Sequence, residues 1–299
     1  MKLMVYLRRE GALHGMILLP ILFVIIYRYV PMTGIVLAFK TYSARLGIWG
    51  SPWVGFENFR ILFTMPGFLN ALRNTVIISI AKIIMGIIVP VIFSLMLNEI
   101  TATRLKKMIQ TIVYLPHFIS WIIMAGIIIR MLSQNGIMNQ LFNAFGMNPV
   151  IFLADRRMFP FIMVITDVWK EFGYGSIVYL AAIAGIDPNL YEAAAIDGAG
   201  RWKQTLHVTL PGMIPTIILM TALALGRVLD AGFEQIFNLY SPVVYQTGDI
   251  LDTFIYRLAF NNSLFSISTA ASLIKSVIGC IMVIFSYRLA YKLSGYQIF

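Results

Sequence analysis

The sequence predicts an all-α protein that crosses a membrane with six helices. Three observations predict it. Of 299 residues, 59% are hydrophobic and only 12% are charged, about half the charge of a soluble domain. Six apolar runs approach or exceed the roughly 20 residues a helix needs to cross a hydrocarbon core. Basic residues gather in alternate loops, as in a chain threaded back and forth with its cytoplasmic side fixed by charge.

The first span, about residues 13–38, follows Lys2, Arg8 and Arg9. That start imitates a secretory signal. The apolar stretch is too long for one, carries Arg28 and lacks a small-residue cleavage site, so it reads as a retained span. Pro20 and Pro31 should bend it. The outer loop that follows, about 40–74, carries Trp49, Trp53, Phe56 and Phe59. These suit an interfacial aromatic belt or a surface for an external partner. The second span is about 75–97, the third 109–132, the fourth 159–186, the fifth 213–237 and the sixth 269–291. Residues 135–153 are too polar and broken to span, and should lie along the outer face.

Orientation follows from short-loop charge. Arg104, Lys106 and Lys107, then Arg201 and Lys203, then Arg288 and Lys292 all fall on the side of the N-terminal cluster. Both termini are therefore expected in the cytoplasm, with the chain a single transmembrane domain over 1–299. The opposite side has Lys40, Arg45, Arg60, Arg73, Arg156, Arg157 and Arg257, but also the acids Glu57, Asp155, Asp249 and Asp252, so the bias is modest. The net charge of +10 then reflects topology rather than affinity for nucleic acid. Cys280 is the one cysteine, so no disulfide forms within the chain.

The loop 187–212 between the fourth and fifth spans carries most of the information. Asp187 is a good helix N-cap, and Pro188 fits the first helical position, where its missing N–H is not needed. Glu192 falls in the first turns, where a negative charge suits the helix dipole. Ala193, Ala194 and Ala195 favour helix and leave no bulk. Gly198 and Gly200 break it. Arg201 to Thr209 should form a second short helix, ended by Leu210-Pro211. The expected result is a compact helix–turn–helix knob.

The loop's pattern is Glu192-Ala193-Ala194, three residues, Gly198, nine residues, an aliphatic, one residue, Leu210-Pro211. It resembles the EAA loop of binding-protein-dependent ABC importer permeases. Asp167-Val168-Trp169-Lys170, Ala184-Gly185-Ile186-Asp187-Pro188, Ser51-Pro52-Trp53-Val54-Gly55, Gly232-Phe233-Glu234-Gln235 and Asp249-Ile250-Leu251-Asp252-Thr253 are similar to the carbohydrate-uptake branch, which includes the maltose-permease-like subunits. The resemblance implies a type I importer fold. It implies that Glu192, Ala193, Ala194, Asp197, Gly198, Ala199, Leu210 and Pro211 form the element that docks on an ATPase. It also implies the partners: a homologous second permease, two ATP-binding subunits, an extracellular solute-binding lipoprotein and an oligosaccharide, at a bacterial cell membrane. The chain has no phosphate-binding Gly-x-x-x-x-Gly-Lys-[Ser/Thr] loop. ATP and Mg are therefore expected on partner subunits, with no cofactor here and no enzyme activity in this chain.

Charges within or near the spans need an account, since each costs about 2.5–3.5 kcal/mol or more at a helix centre. Arg28, Lys82, Arg130, Asp167, Glu171, Arg227, Asp230 and Lys275 are the candidates. Two readings stand: ion pairs that hold helices together, and a substrate pathway. Arg227 and Asp230, three apart, are placed to pair on one helix face. For the pathway, Trp169, Tyr174 and Tyr179 would stack on sugar rings, with Glu171, Arg227, Asp230 and Lys275 around them. Gly173 and Gly175 would loosen the fourth helix at its middle, where transporters bind substrate. The excess of basic groups points to an acidic, uronide-containing oligosaccharide. Two alternatives remain open: an ABC permease for a non-sugar solute, and a gradient-driven secondary transporter.

Overall fold

The computed structural model describes residues 11–294. They form helices joined by turns, with an isolated antiparallel bridge between Lys40 and Trp53. Contacts divide them into two compact units. One holds the described residues up to Met65 with Ile255–Ile274. The other holds Pro66–Phe254 with those from Lys275 onward.

In the first unit, α1 (Gly11–Val24) keeps Pro20 inside it. The helical path continues to Phe39 through a π turn at Ile25–Tyr29, a short α segment and a 3-10 segment at Thr33–Phe39. The wider turn accommodates Pro31, which has no N–H to return to the preceding turn. Beyond it the aromatic segment folds on itself. Phe39 stacks on Trp53 with ring centres 5.9 Å apart and meets Phe56 edge-on at 5.5 Å. The buried Asn58 amide donates to the carbonyls of Ala38 and Lys40, both at 2.9 Å, which ties α2 (Glu57–Thr64) to the end of the first helix.

The second unit contains α3 (Phe68–Asn98), α4 (Thr103–Tyr114), α5 (Trp121–Leu132), α6 (Ile137–Ala144) and α7 (Met158–Ala184). After these come α8 (Pro188–Ile196), α9 (Arg201–Gln204), α10 (Leu210–Leu225) and α11 (Phe233–Leu239). The chain then forms α12 (Leu251–Tyr256) and the long α13 (Phe265–Ser294). Helices α3 and α7 run parallel: Lys82 meets Asp167, and further along Ser94 donates to the Ser176 carbonyl. Buried Ile78, Met124, Ile128, Phe159, Met163 and Ile236 form one core cluster. Val91, Tyr179, Ile183 and Met213 form another toward the α7–α8 end.

Among the described residues, five helical stretches are long and apolar enough to cross a membrane: Gly15–Phe39, Phe68–Asn98, Trp121–Ala144, Arg201–Leu225 and Phe265–Leu289. The expected fourth span is α7, which has the length but carries Asp167, Lys170 and Glu171. Two expectations need correction. The third span is not one helix over 109–132. It breaks at a 3-10 turn, Leu115–Phe118, and restarts at Ser120, whose hydroxyl accepts from the Ile123 N–H at 3.4 Å. Pro116 cannot supply the N–H that would continue α4. The fifth span does not run to 237, because α10 ends at Leu225 with Gly226 as its cap. The chain turns to Gly232, whose φ of +90° is the left-handed region open to glycine, before α11 begins.

Gly173 and Gly175 do not loosen α7, which is continuous through both. They are contact points. A Cβ on Gly173 would overlap the Val113 carbonyl of α4, and one on Gly175 would touch Pro90 of α3. The interruption lies in the preceding span, at Pro116 between α4 and α5.

Candidate functional site

The loop 187–212 folds as a built knob. Asp187 caps α8, accepting from the Asn189 N–H at 2.9 Å, and Pro188 stands at the first helical position. The helix stops in a Schellman turn. The Ala199 N–H donates to the Ala194 carbonyl at 2.9 Å and the Gly198 N–H to that of Ala195 at 3.0 Å. Gly198 sits at φ +77° with nothing within 4 Å of where a Cβ would be. Tyr191 and Thr209 join the two arms through their hydroxyls at 3.0 Å. The Thr205 hydroxyl donates to Glu99, just beyond the end of α3, at 3.2 Å.

One expectation for this loop is corrected. Leu210-Pro211 does not end the second helix. A π turn at Thr205–Thr209 carries α9 straight into α10. The wider turn absorbs the N–H that Pro211 lacks. The second arm is therefore one rigid rod with the fifth span. Glu192, Ala193, Asp197 and Gly198 are exposed, while Ala194, Ala199 and Leu210 are half-buried. Ile196 is 88% exposed and Trp202 74%.

Within the helices, polar groups form three separate sets. In the first, the buried Lys82 ammonium donates to Asp167 at 3.0 Å, to the Ala231 carbonyl at 2.8 Å and to Gln235. The Gln235 amide in turn donates to the Met163 carbonyl and the Thr166 hydroxyl at 2.8 and 2.7 Å. This network ties α3, α7 and α11 together. In the second, Lys275 pairs with Asp252.

The third set lies at the break after α4. Glu171 is held by both carboxylate oxygens: one on Lys170 at 2.9 Å, the other on His117 Nδ1 at 2.6 Å. Lys170 also donates to the His117 carbonyl at 2.8 Å and lies over the Trp121 ring. The carboxylate selects the tautomer with the proton on Nδ1. Tyr174 stacks on the His117 ring with centres 4.0 Å apart and planes 1° from parallel, and Phe118 meets both edge-on. Tyr174 stays 46% and Phe118 73% exposed. The result is an aromatic shelf beside a neutralised carboxylate, able to take an apolar sugar face and its hydroxyls.

Of the seven predicted pathway residues, Glu171 and Tyr174 meet here, whereas Tyr179 is buried in the second core cluster with Val91, Ile183 and Met213. Trp169 is two residues from Glu171, about 200° around the helix, and no contact joins it to the shelf. Lys275 belongs with Asp252. Arg227 and Asp230 do not pair. They follow Gly226, in the turn after α10, so three-residue spacing does not put them on one helix face. Both are exposed. His117 and Phe118 were missed. Their signal was a histidine beside a proline inside an apolar run.

Apolar helices packed around internal ion pairs, with a capped, apolar-tipped knob at one end, are the build of a polytopic membrane protein. Residues 82–295 match the family model described as "Binding-protein-dependent transport system inner membrane component". The chain belongs to that family. It is 38% identical over 97% of its length to 91% of the polygalacturonan/rhamnogalacturonan transport system permease protein YteP of Bacillus subtilis (strain 168). It is 37% identical to 91% of the protein LplB of the same organism, over 97% of its own length. Among solved structures, it superposes with TM-score 0.91 and 38% identity on a bacterial ABC transporter involved in the import of the acidic polysaccharide alginate. The match covers 98% of this chain and 100% of that one. A second match, at TM-score 0.91, 37% identity and 100% coverage of both chains, is to a bacterial alginate ABC transporter in complex with alginate pentasaccharide-bound periplasmic protein.

Proposed function

We infer that this chain is the transmembrane subunit of an ATP-driven importer for acidic oligosaccharides handed over by an extracellular binding protein. The observation that carries the ATP-driven part is the knob: two arms, capped and cross-linked, bearing Ile196 and Trp202 with no covering in this chain. The relatives named for polygalacturonan and alginate transport support a uronic substrate.

The knob faces the cytoplasm and seats in a groove of one of two ATPase subunits, which hold ATP and Mg. Glu192, Ala193, Ala194, Asp197, Gly198 and Ala199 form the docking surface, and both termini lie on the same side. A homologous second permease completes the pathway. Nucleotide binding draws the two knobs together and opens the permease pair outward; hydrolysis returns it. Because the second arm is continuous with α10 through the π turn, displacement of the knob moves that span as a rod. The shelf of His117, Phe118 and Tyr174 takes the sugar's C–H face, as aromatic rings do.

The test is ATPase activity of the purified assembly in lipid, with and without loaded binding protein. Glu192→Ala and Gly198→Asp should abolish the stimulation while the binding protein still holds sugar. Undiminished stimulation and uptake in both variants, or an assembly without any ATPase, would instead favour gradient-driven transport.

A further inference from the structure

A cleft of about 710 Å³ opens between the first turns of α3 and α7, at the end of these helices remote from the knob. Three arginines line it, Arg73, Arg156 and Arg157, with Asn70, Asn74 and Gln246; no acidic side chain lines it. Arg156 is aimed by its own neighbours. Its Nε donates to the Val243 carbonyl at 3.0 Å and its Nη1 to Gln246 at 2.9 Å. Among the described residues none of the three forms an ion pair with a carboxylate. Asp155, which acts on Arg157 through space, is committed elsewhere: its carboxylate accepts from the backbone N–H groups of Arg157 and Met158 at 2.7 and 3.0 Å. Three guanidinium groups around one cleft repel one another, and an anion among them relieves that repulsion.

The cleft also leads somewhere. Arg157, Pro160, Val164, Asp167 and Glu171 recur on α7 at spacings of three and four residues, so they share one face. The cleft's inner edge is lined by Ala81 and Val164, one residue before Lys82 and three before Asp167, which pair with each other. From Arg157 to Glu171 the rise along α7 is about 21 Å. The same face therefore runs from three unpaired cations to the aromatic shelf. Phe161, 70% exposed on the cleft wall, offers a flat apolar surface beside the arginines.

We propose that this cleft is an entry subsite in which Arg73, Arg156 and Arg157 receive a uronate carboxylate of the incoming oligosaccharide before the chain reaches the His117–Tyr174 shelf. The proposal rests on the acidic-oligosaccharide reading above. Guanidinium forks match carboxylates with paired hydrogen bonds, and Phe161 takes the C–H face of the same sugar.

The experiment uses the complete assembly with its binding protein in liposomes. It measures the oligomer concentration giving half-maximal uptake. The probes are a galacturonate oligomer and its methyl ester, equal in length but uncharged. In Arg73→Gln and Arg157→Gln that concentration should rise about tenfold for the acid, the effect of losing one charged hydrogen bond, and stay put for the ester. Arg130→Gln, at the end of α5 and outside the cleft, should shift neither. If the Gln variants do not assemble, Arg73→Lys and Arg157→Lys keep the charge but lose the fork, and should give a smaller shift in the same direction. Equal shifts for acid and ester, or no shift, overturn the proposal and leave the importer reading intact. So does a shift that appears only in liposomes of anionic lipid, which would mark a phospholipid headgroup site. If the native assembly takes up the ester but not the acid, the acidic-substrate reading and the subsite fall together.

Discussion

The knob and the intramembrane ion-pair network solve opposite problems with the same few residue types. In the knob, backbone groups are satisfied locally. Asp187 caps one end of α8 and the Schellman turn at Gly198 the other, leaving the large side chains Ile196 and Trp202 bare. In the network, side chains bond one another and two backbone carbonyls across three helices, around the buried Lys82. The knob is built to present uncovered apolar side chains; the network has its partners inside the chain. The comparison separates the two meanings a polar residue carries in a membrane protein. The arginines of the α3–α7 cleft resemble neither: among the described residues they have no carboxylate partners.

The comparison breaks most easily at Lys82. Lys82→Met leaves Asp167 without its cation and Gln235 without its donor. Removing one member of a buried pair costs about 3–5 kcal/mol. Asp167 keeps 26% of its side-chain exposure, which puts the expected loss at the lower end, about 3 kcal/mol. Thermal unfolding of the purified assembly should show it. Lys82→Met with Asp167→Leu should recover most of the loss, since no charge is then stranded. A double variant as unstable as the single one would mean that the network holds the fold by more than mutual neutralisation.

A smaller effect is expected at the turn of the knob. Gly198→Val forces a branched side chain to φ +77°, at a cost of about 1–3 kcal/mol. Gly200 lies at φ −69°, so Gly200→Ala should cost about 0.5 kcal/mol, the loss of a modest N-cap. If the two variants are equally stable, the turn is not held as tightly as its hydrogen bonds indicate. If both also couple ATPase to uptake normally, its rigidity is not what transmits the push.

How much of this was legible in the sequence follows the same division. The knob was readable because its determinants are local: Asp-Pro at one end, a glycine at the left-handed position at the other. Where the reading failed there, at Leu210-Pro211, a π turn let the helix pass a proline. The network was not readable. Lys82 and Asp167 were visible as costly charges, but nothing in spacing pairs residues 85 apart. The same limit misled at Arg227 and Asp230, where three-residue spacing implied a helix that Gly226 had already ended. The break at Pro116 was hidden by the apolar run around it, and with it the shelf of His117 and Phe118. Glycines at 173 and 175 looked like loosened helix because close approach of another backbone leaves no local mark.

The sharpest form of the comparison lies in side chains whose loss should cost the fold almost nothing. Ile196 and Trp202 are exposed in this chain, so Ile196→Ser and Trp202→Ala should leave the stability of the isolated permease, followed by thermal unfolding, within about 0.5 kcal/mol of native. Uptake should nevertheless fall steeply, because buried aromatic and aliphatic anchors dominate the affinity of protein interfaces. The ATPase subunits should co-purify poorly with Trp202→Ala in particular. Stability and function then move independently at the knob and together at Lys82. If Trp202→Ala instead destabilises the isolated permease, the side chain packs within its own subunit and is no docking anchor. If it changes neither stability nor co-purification, the contact must be made by Glu192 and the alanine face of α8, and the second arm serves only to carry motion into α10.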